Sequence, residues 1–236
     1  MEQDLLPQTV SGHQNDAVDD DDAPTLSLQA LQALKEFLTE QSHSLNDTAA
    51  ETPPASAPAL ISEDWRMSQF WYDHHTAQTL AQEVLTLCKS DSTRVACVAC
   101  PSLYAYLKNI DSNVSVQLLE YDTRFEQYGS DFTFYDYNQP EDLPLELKNG
   151  FDIVVADPPY LSQECLEKVA KTVSFLARSE KPYLLLLTGE VQKERAAELM
   201  GLHPCGFRPC HSSKLGNEFR LFTSYDPEAR IGGWDN

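Results

Sequence analysis

The stretch FDIVVA, residues 151–156, limits the possible folds more than any other part of the chain. Ile153, Val154, Val155 and Ala156 are apolar in succession, with no alternation between a wet and a dry face. A strand of this kind needs cover on both sides, which is the situation of a central strand in a parallel sheet. The flanking sequence supplies both the neighbours and the cover. RVACVA (94–99), VSVQLLEYD (114–122), DFTFYDYN (131–138) and PYLLLLTG (182–189) read as further strands. HHTAQTLAQEVLTLC (74–88) places Ala77, Leu80, Ala81, Val84, Leu85 and Cys88 on one helical face. PSLYAYLKNI opens on Pro101, favoured in a first helical turn. LSQECLEKVAKTVSFLA and EVQKERAAELMG, the latter closed by Gly201, are the remaining helices. EDLPLELKNG is a short helix or irregular, and LHPCGFRPCH with NEFRLFTSY reads as a terminal antiparallel pair. Strands alternating with helices predict a doubly wound α/β sheet, with ligands beyond the carboxyl ends of its strands.

This domain spans residues 61–236. Ahead of it, residues 1–24 are polar and acidic, with DDDD at 19–22, and read as disordered. Leu28, Leu31, Leu34, Phe37 and Leu38 recur at helical spacing, which predicts a short amphipathic helix over about 25–41. TAAETPPASAPA then reads as a linker. No apolar run is long enough to span a bilayer, and the N-terminus lacks a basic start and an apolar centre. A cytoplasmic chain is expected, its six cysteines reduced. Cys97-x-x-Cys100 and Cys205-x4-Cys210-His211 lack the paired spacing of a zinc site, so no metal is expected.

Immediately after the central strand the sequence reads Asp157-Pro158-Pro159-Tyr160. Two consecutive residues without an N–H end the ladder abruptly. A carboxylate and a main-chain carbonyl at that corner form two acceptors for one amine, and Tyr160 offers a ring to pack over a flat group or a cation. Acceptors that grip N–H bonds aim the nitrogen lone pair at a donor, which is catalysis by positioning with a cofactor supplying the hard chemistry. Asp157, Pro158 and Tyr160 are therefore the candidate catalytic residues.

Asp-Pro-Pro-Tyr in this context resembles the signature of amino-directed methyltransferases that use S-adenosyl-L-methionine. More closely, SQFWYDHHTAQTLAQE, FTFYDYNQPEDLP, FDIVVADPPYLSQECL and NEFRLFTSYD resemble the eukaryotic elongation factor 1-alpha lysine methyltransferase 1 family, earlier labelled N6-adenine-specific DNA methyltransferases. The resemblance covers roughly residues 61–228 and implies a Rossmann-like, seven-stranded class I sheet with helices on both faces. It implies that the first loop, Ala99-Cys100-Pro101-Ser102, wraps the methionine part of the cofactor with small residues in place of the usual glycines. It assigns the ribose hydroxyls to Glu120, with Asp122 the runner-up, and the adenine amino group to Asp136. It makes the segment holding Phe70, Trp71 and Tyr72 a lid, the first two towards the cofactor and Tyr72 with Tyr160 towards the target amine. Asn217 and Phe219, opening the last strand, fall on the substrate side.

The substrate is the open point. A lysine amine is a good nucleophile but is protonated at neutral pH; with a reference pKa of about 10.4, its deprotonation at pH 7 costs roughly 4.6 kcal/mol. The expected course is loss of the proton to water once cofactor is bound, Asp157 then orienting the neutral amine. Net charge is −20, half of it from residues 1–62, so the rest of the chain is also acidic. That balance repels a phosphate backbone and suits a basic protein. No Lys/Arg cluster is present to grip phosphates around a flipped base. The resemblance implies a lysine of elongation factor 1-alpha as substrate; a monomer without stable nucleic-acid or membrane binding is expected. The alternatives are N6-adenine methylation of DNA or RNA, and a catalytically inactive Rossmann-like interaction module.

Overall fold

The computed structural model describes residues 60–213 and 218–235. The acidic segment, its amphipathic stretch at 25–41 and Asn217 lie outside the described residues. Seven strands form one sheet: β1 Arg94–Val98, β2 Ser115–Glu120, β3 Phe132–Phe134, β4 Ile153–Ala156, β5 Tyr183–Gly189, β6 His203–Pro204 and β7 Phe219–Thr223. Their order is β3-β2-β1-β4-β5-β7-β6. The first five are parallel, and β7 runs antiparallel between β5 and β6. β4 is central, as its uniformly apolar sequence requires, and all four of its residues are buried.

Among the described residues four α-helices cover the two faces. α1 (His74–Leu87) starts where Asp73 accepts the Thr76 N–H at 2.7 Å. α2 (Pro101–Ile110) starts on its proline. α3 (Gln163–Leu176) is capped by Ser162, whose Oγ accepts the Cys165 N–H at 3.2 Å. α4 (Lys193–Met200) ends at Gly201, which takes the left-handed φ of 65° that closes a helix. Side chains alternate across the sheet. Val95, Cys97, Ile153, Val155, Leu185 and Leu187 pack with Leu80, Val84, Leu103 and Leu107 of α1 and α2. Ala96, Val98, Val154, Ala156 and Leu186 pack with Leu166, Val169, Leu176 and Ala196 of α3 and α4.

Two strands are shorter than their sequences suggest. β3 stops at Phe134 because Asp136 folds the chain into a turn, Oδ1 accepting the Asn138 N–H and the carbonyl accepting the Gln139 N–H. β6 is two residues long. Just beyond it the backbone of Gly206 lies against Gly232, so close that a Cβ at Gly206 would sit 2.8 Å from the Gly232 oxygen. The chain leaves the sheet there and runs as loop to His211. Among the described residues no helix is long and apolar enough to cross a membrane.

Candidate active site

The carboxyl ends of β1, β2 and β4 open into a cavity of about 530 Å³. The segment before α1 lies over it, contributing Arg66 to Trp71 to its wall. The Asp157 N–H makes the last ladder bond, to the Val98 carbonyl at 3.0 Å. Pro158 and Pro159 have no N–H to continue it, so the chain turns away and Asp157 faces the cavity. Its Oδ2 accepts the Tyr72 hydroxyl at 2.7 Å, while Oδ1 accepts no hydrogen bond from another described residue. The Pro158 carbonyl also accepts none among the described residues. An acceptor pair is thus left open at the end of the central strand.

Burial pushes the Asp157 carboxyl up to about 7; the Tyr72 hydrogen bond pulls it down, and the Glu120 charge pushes it further up. Glu120, the last residue of β2, lines the cavity and is likewise pushed up to about 7, chiefly by burial. Neither buried carboxyl forms an ion pair with another described residue.

Ala99, Glu120, Asp136, Asp157, Pro158, Tyr160, Phe70, Trp71 and Phe219 all line this cavity. Ala99 takes a φ of 55°, the conformation a glycine would adopt without strain. Four other candidates lie elsewhere. The turn at Ala99 sends Cys100 into the core, its Sγ against the Val155 carbonyl at 3.7 Å. Ser102 is buried within the first turn of α2. Asp122 is buried and gripped by Gln69 Nε2 at 2.9 Å and by the Arg124 guanidinium at 2.6 Å. Tyr72 is buried and outside the cavity lining, its hydroxyl donating to Asp157.

The sequence reading missed Gln69 and His211. The Gln69 amide is buried, donating to Asp122 while its Oε1 accepts from the Asp64 N–H at 2.9 Å and from Arg124 at 3.1 Å. At the other end of the same segment, Glu63 accepts the Trp71 N–H and the Trp71 carbonyl accepts from Ser212 N. His211 lines the cavity beside Phe219 and pairs with Tyr72 in an isolated antiparallel bridge. In the sequence it was named only within Cys205-x4-Cys210-His211, a spacing set aside as a metal site.

The cavity volume is within the range of roughly 300–1000 Å³ typical of pockets that enclose a small molecule. A buried acid at the tip of β2 is suited to vicinal hydroxyls, and the methyl-sized side chain of Ala99 leaves room for a ligand against the first loop. These residues fit S-adenosylmethionine.

The sheet order, with β7 inserted antiparallel and acids at the tips of β2 and β4, is that of a Rossmann-like methyltransferase. The chain belongs to the family described as "Probable N6-adenine methyltransferase", whose model matches residues 63–227. It is 44% identical over 211 residues to EEF1A lysine methyltransferase 1 of Homo sapiens, covering 89% of this chain and 95% of that one. Its identity to the protein of the same name from Gallus gallus is 45% over 209 residues, covering 88% and 96%. With Protein-lysine N-methyltransferase M142.8 of Caenorhabditis elegans it shares 36% over 216 residues, covering 88% and 96%. The resemblance carried by the quoted motifs is borne out by these relatives.

Proposed function

We propose that this chain is a protein-lysine N-methyltransferase that moves a methyl group from S-adenosylmethionine to the ε-amine of a lysine in elongation factor 1-alpha. The observation that carries this reading is Asp157, held by Tyr72 at the edge of a cavity with its second oxygen and the Pro158 carbonyl open. Relatives named for lysine methylation, similar over nearly their whole length, support the substrate class. Bound in the cavity, the cofactor supplies an electrophilic methyl group. Glu120 would accept from the ribose hydroxyls, Asp136 would meet the adenine amino group, and the loop at Ala99 would hold the methionine end. Phe70 and Trp71 cover the site and exclude water. Asp157 Oδ1 and the Pro158 carbonyl accept from the neutral amine and fix the direction of its lone pair, with Tyr160 and Phe219 flanking the side-chain stem. The same reading gives a cytoplasmic monomer with a protein partner and no stable hold on nucleic acid or membrane.

Methylation of adenine N6 in DNA or RNA is the second reading, favoured by the description of the family model. The net charge of −20 weighs against it. Tritiated cofactor offered with elongation factor 1-alpha and, separately, with adenine-bearing DNA and RNA tests both. Label removed by protease but not by nuclease is expected; the reverse pattern replaces lysine with adenine, and absence of cofactor binding in calorimetry leaves an inactive module. Asp157→Ala should lower kcat roughly 100- to 1000-fold, the scale of removing one preorganised polar group from a reacting centre.

A further inference from the structure

A lysine ammonium has no lone pair until it sheds a proton, and Phe70 and Trp71 line the cavity that would receive it. Resting on the lysine reading above, the question is which group on the wall takes that proton. Asp157 Oδ2 is occupied by the Tyr72 hydroxyl at 2.7 Å and its Oδ1 is the acceptor that orients the amine, while Asp136 Oδ1 accepts the Asn138 N–H at 2.8 Å. Glu120 is at the β2 tip, where Oε1 accepts the Asp122 N–H at 3.2 Å. His211 is the one imidazole in the cavity lining, and its ring nitrogens hold no hydrogen bond to another described residue. Its ring is fixed all the same. It packs on Tyr72 with centroids 4.7 Å apart and meets Phe219 edge-on at 4.6 Å, while its backbone bridges to Tyr72. It is thus locked against the residue that holds Asp157 and beside the strand on the substrate side.

We propose that His211 is the proton acceptor for the target lysine. An N–H bond of the ammonium breaks with its electron pair left on the amine nitrogen, and a new N–H bond forms on the imidazole, which returns the proton to solvent. The neutral amine would then present its electron pair to the methyl group that the bound cofactor would supply, the carbon–sulfur pair staying with sulfur. A base weaker than lysine does not change the equilibrium cost of the neutral amine. It provides a route out of a covered site and releases the proton readily. Burial lowers the His211 pKa, with Glu63 of the cover and Asp73 at the start of α1 pulling it back up. Tyr72 carries the other neighbouring ionisable group, and Asp157 is reached through it. The ring is therefore neutral and able to accept at pH 7.

Single-turnover methylation by two variants tests this. His211→Phe keeps a ring for the stack with Tyr72 but has no nitrogen; His211→Ala opens space for added imidazole. Both should lose about 100-fold or more in rate, the usual worth of a positioned base. Cofactor Kd and Tm of the phenylalanine variant should match wild type. Imidazole should restore part of the alanine variant's rate, in proportion to its neutral fraction as pH changes. A wild-type rate in His211→Phe overturns the proposal, as does lost activity that imidazole leaves unchanged. Wild-type protein that binds cofactor yet methylates no lysine would instead remove the reading on which the proposal rests.

Discussion

Ala99 holds a left-handed conformation, φ 55°, that costs an alanine about 1–2 kcal/mol relative to the right-handed region. Alanine in place of glycine at this position therefore adds that cost to the fold. The carboxyls of Asp157 and Glu120 show a second cost. Both have folded-state pKa values near 7, above those of an unfolded chain. Their contribution to stability is complete below about pH 4 and declines as pH rises towards 7, because the folded state holds the protons longer. A cation in the cavity reverses this, favouring the ionised forms and expelling protons. Affinity for S-adenosylmethionine should rise by up to about tenfold per pH unit below pH 7 and level off above it. The neutral thioether product should show a shallower rise. Calorimetry in buffers of different ionisation heat checks this through the number of protons released. Asp157 itself was legible in the sequence because a strand end followed by two prolines has few conformations. That its oxygen is taken by Tyr72, 85 residues earlier, was not.

At the scale of elements, the segment from Glu63 to Tyr72 is a strap across the open ends of the strands. It is tied on one side to the turn after β2 through Gln69 and Asp122, and on the other to residues 211–212 through Trp71 and Tyr72. Gln69→Ala leaves the buried Asp122 carboxylate short of one donor and frees one end of the strap. The loss of a hydrogen bond to a charged group, about 1.5–3 kcal/mol, should weaken cofactor binding on the order of tenfold or more with a smaller change in kcat. Gln69→Glu, which sets two carboxylates together, should weaken it further. Cofactor titration beside a substrate-saturated rate measurement separates the two effects. The family resemblance marked this segment as a cover. The glutamine before them carried no sign of its role, since its partner is 53 residues away. For the same reason Asp122 read as a plausible ribose ligand: it is two residues past Glu120, and only the strap shows where its oxygens point.

For the molecule as a whole, an acidic enzyme acting on a basic protein should be helped by long-range attraction. With a net charge of −20, kcat/KM towards the protein substrate should fall by roughly tenfold as salt rises from 50 to 500 mM, mostly through KM. A short lysine peptide should show a weaker dependence; no dependence with either substrate would remove charge as a basis for partner choice. The sheet and its helices were readable in the linear chain because each is set by local periodicity: apolar runs for β1, β4 and β5, a helical stripe for α1. The position of Asp157 at a strand end follows from the same local rules. The assembly of the site does not. Tyr72 beneath Asp157, His211 on Tyr72, and Gln69 on Asp122 are contacts between segments dozens of residues apart. Their side chains are ordinary in their own surroundings, and packing alone brings them together. Hydrogen bonds and ring contacts act over a few ångströms of space, whereas the patterns legible in a sequence act over a few residues of chain.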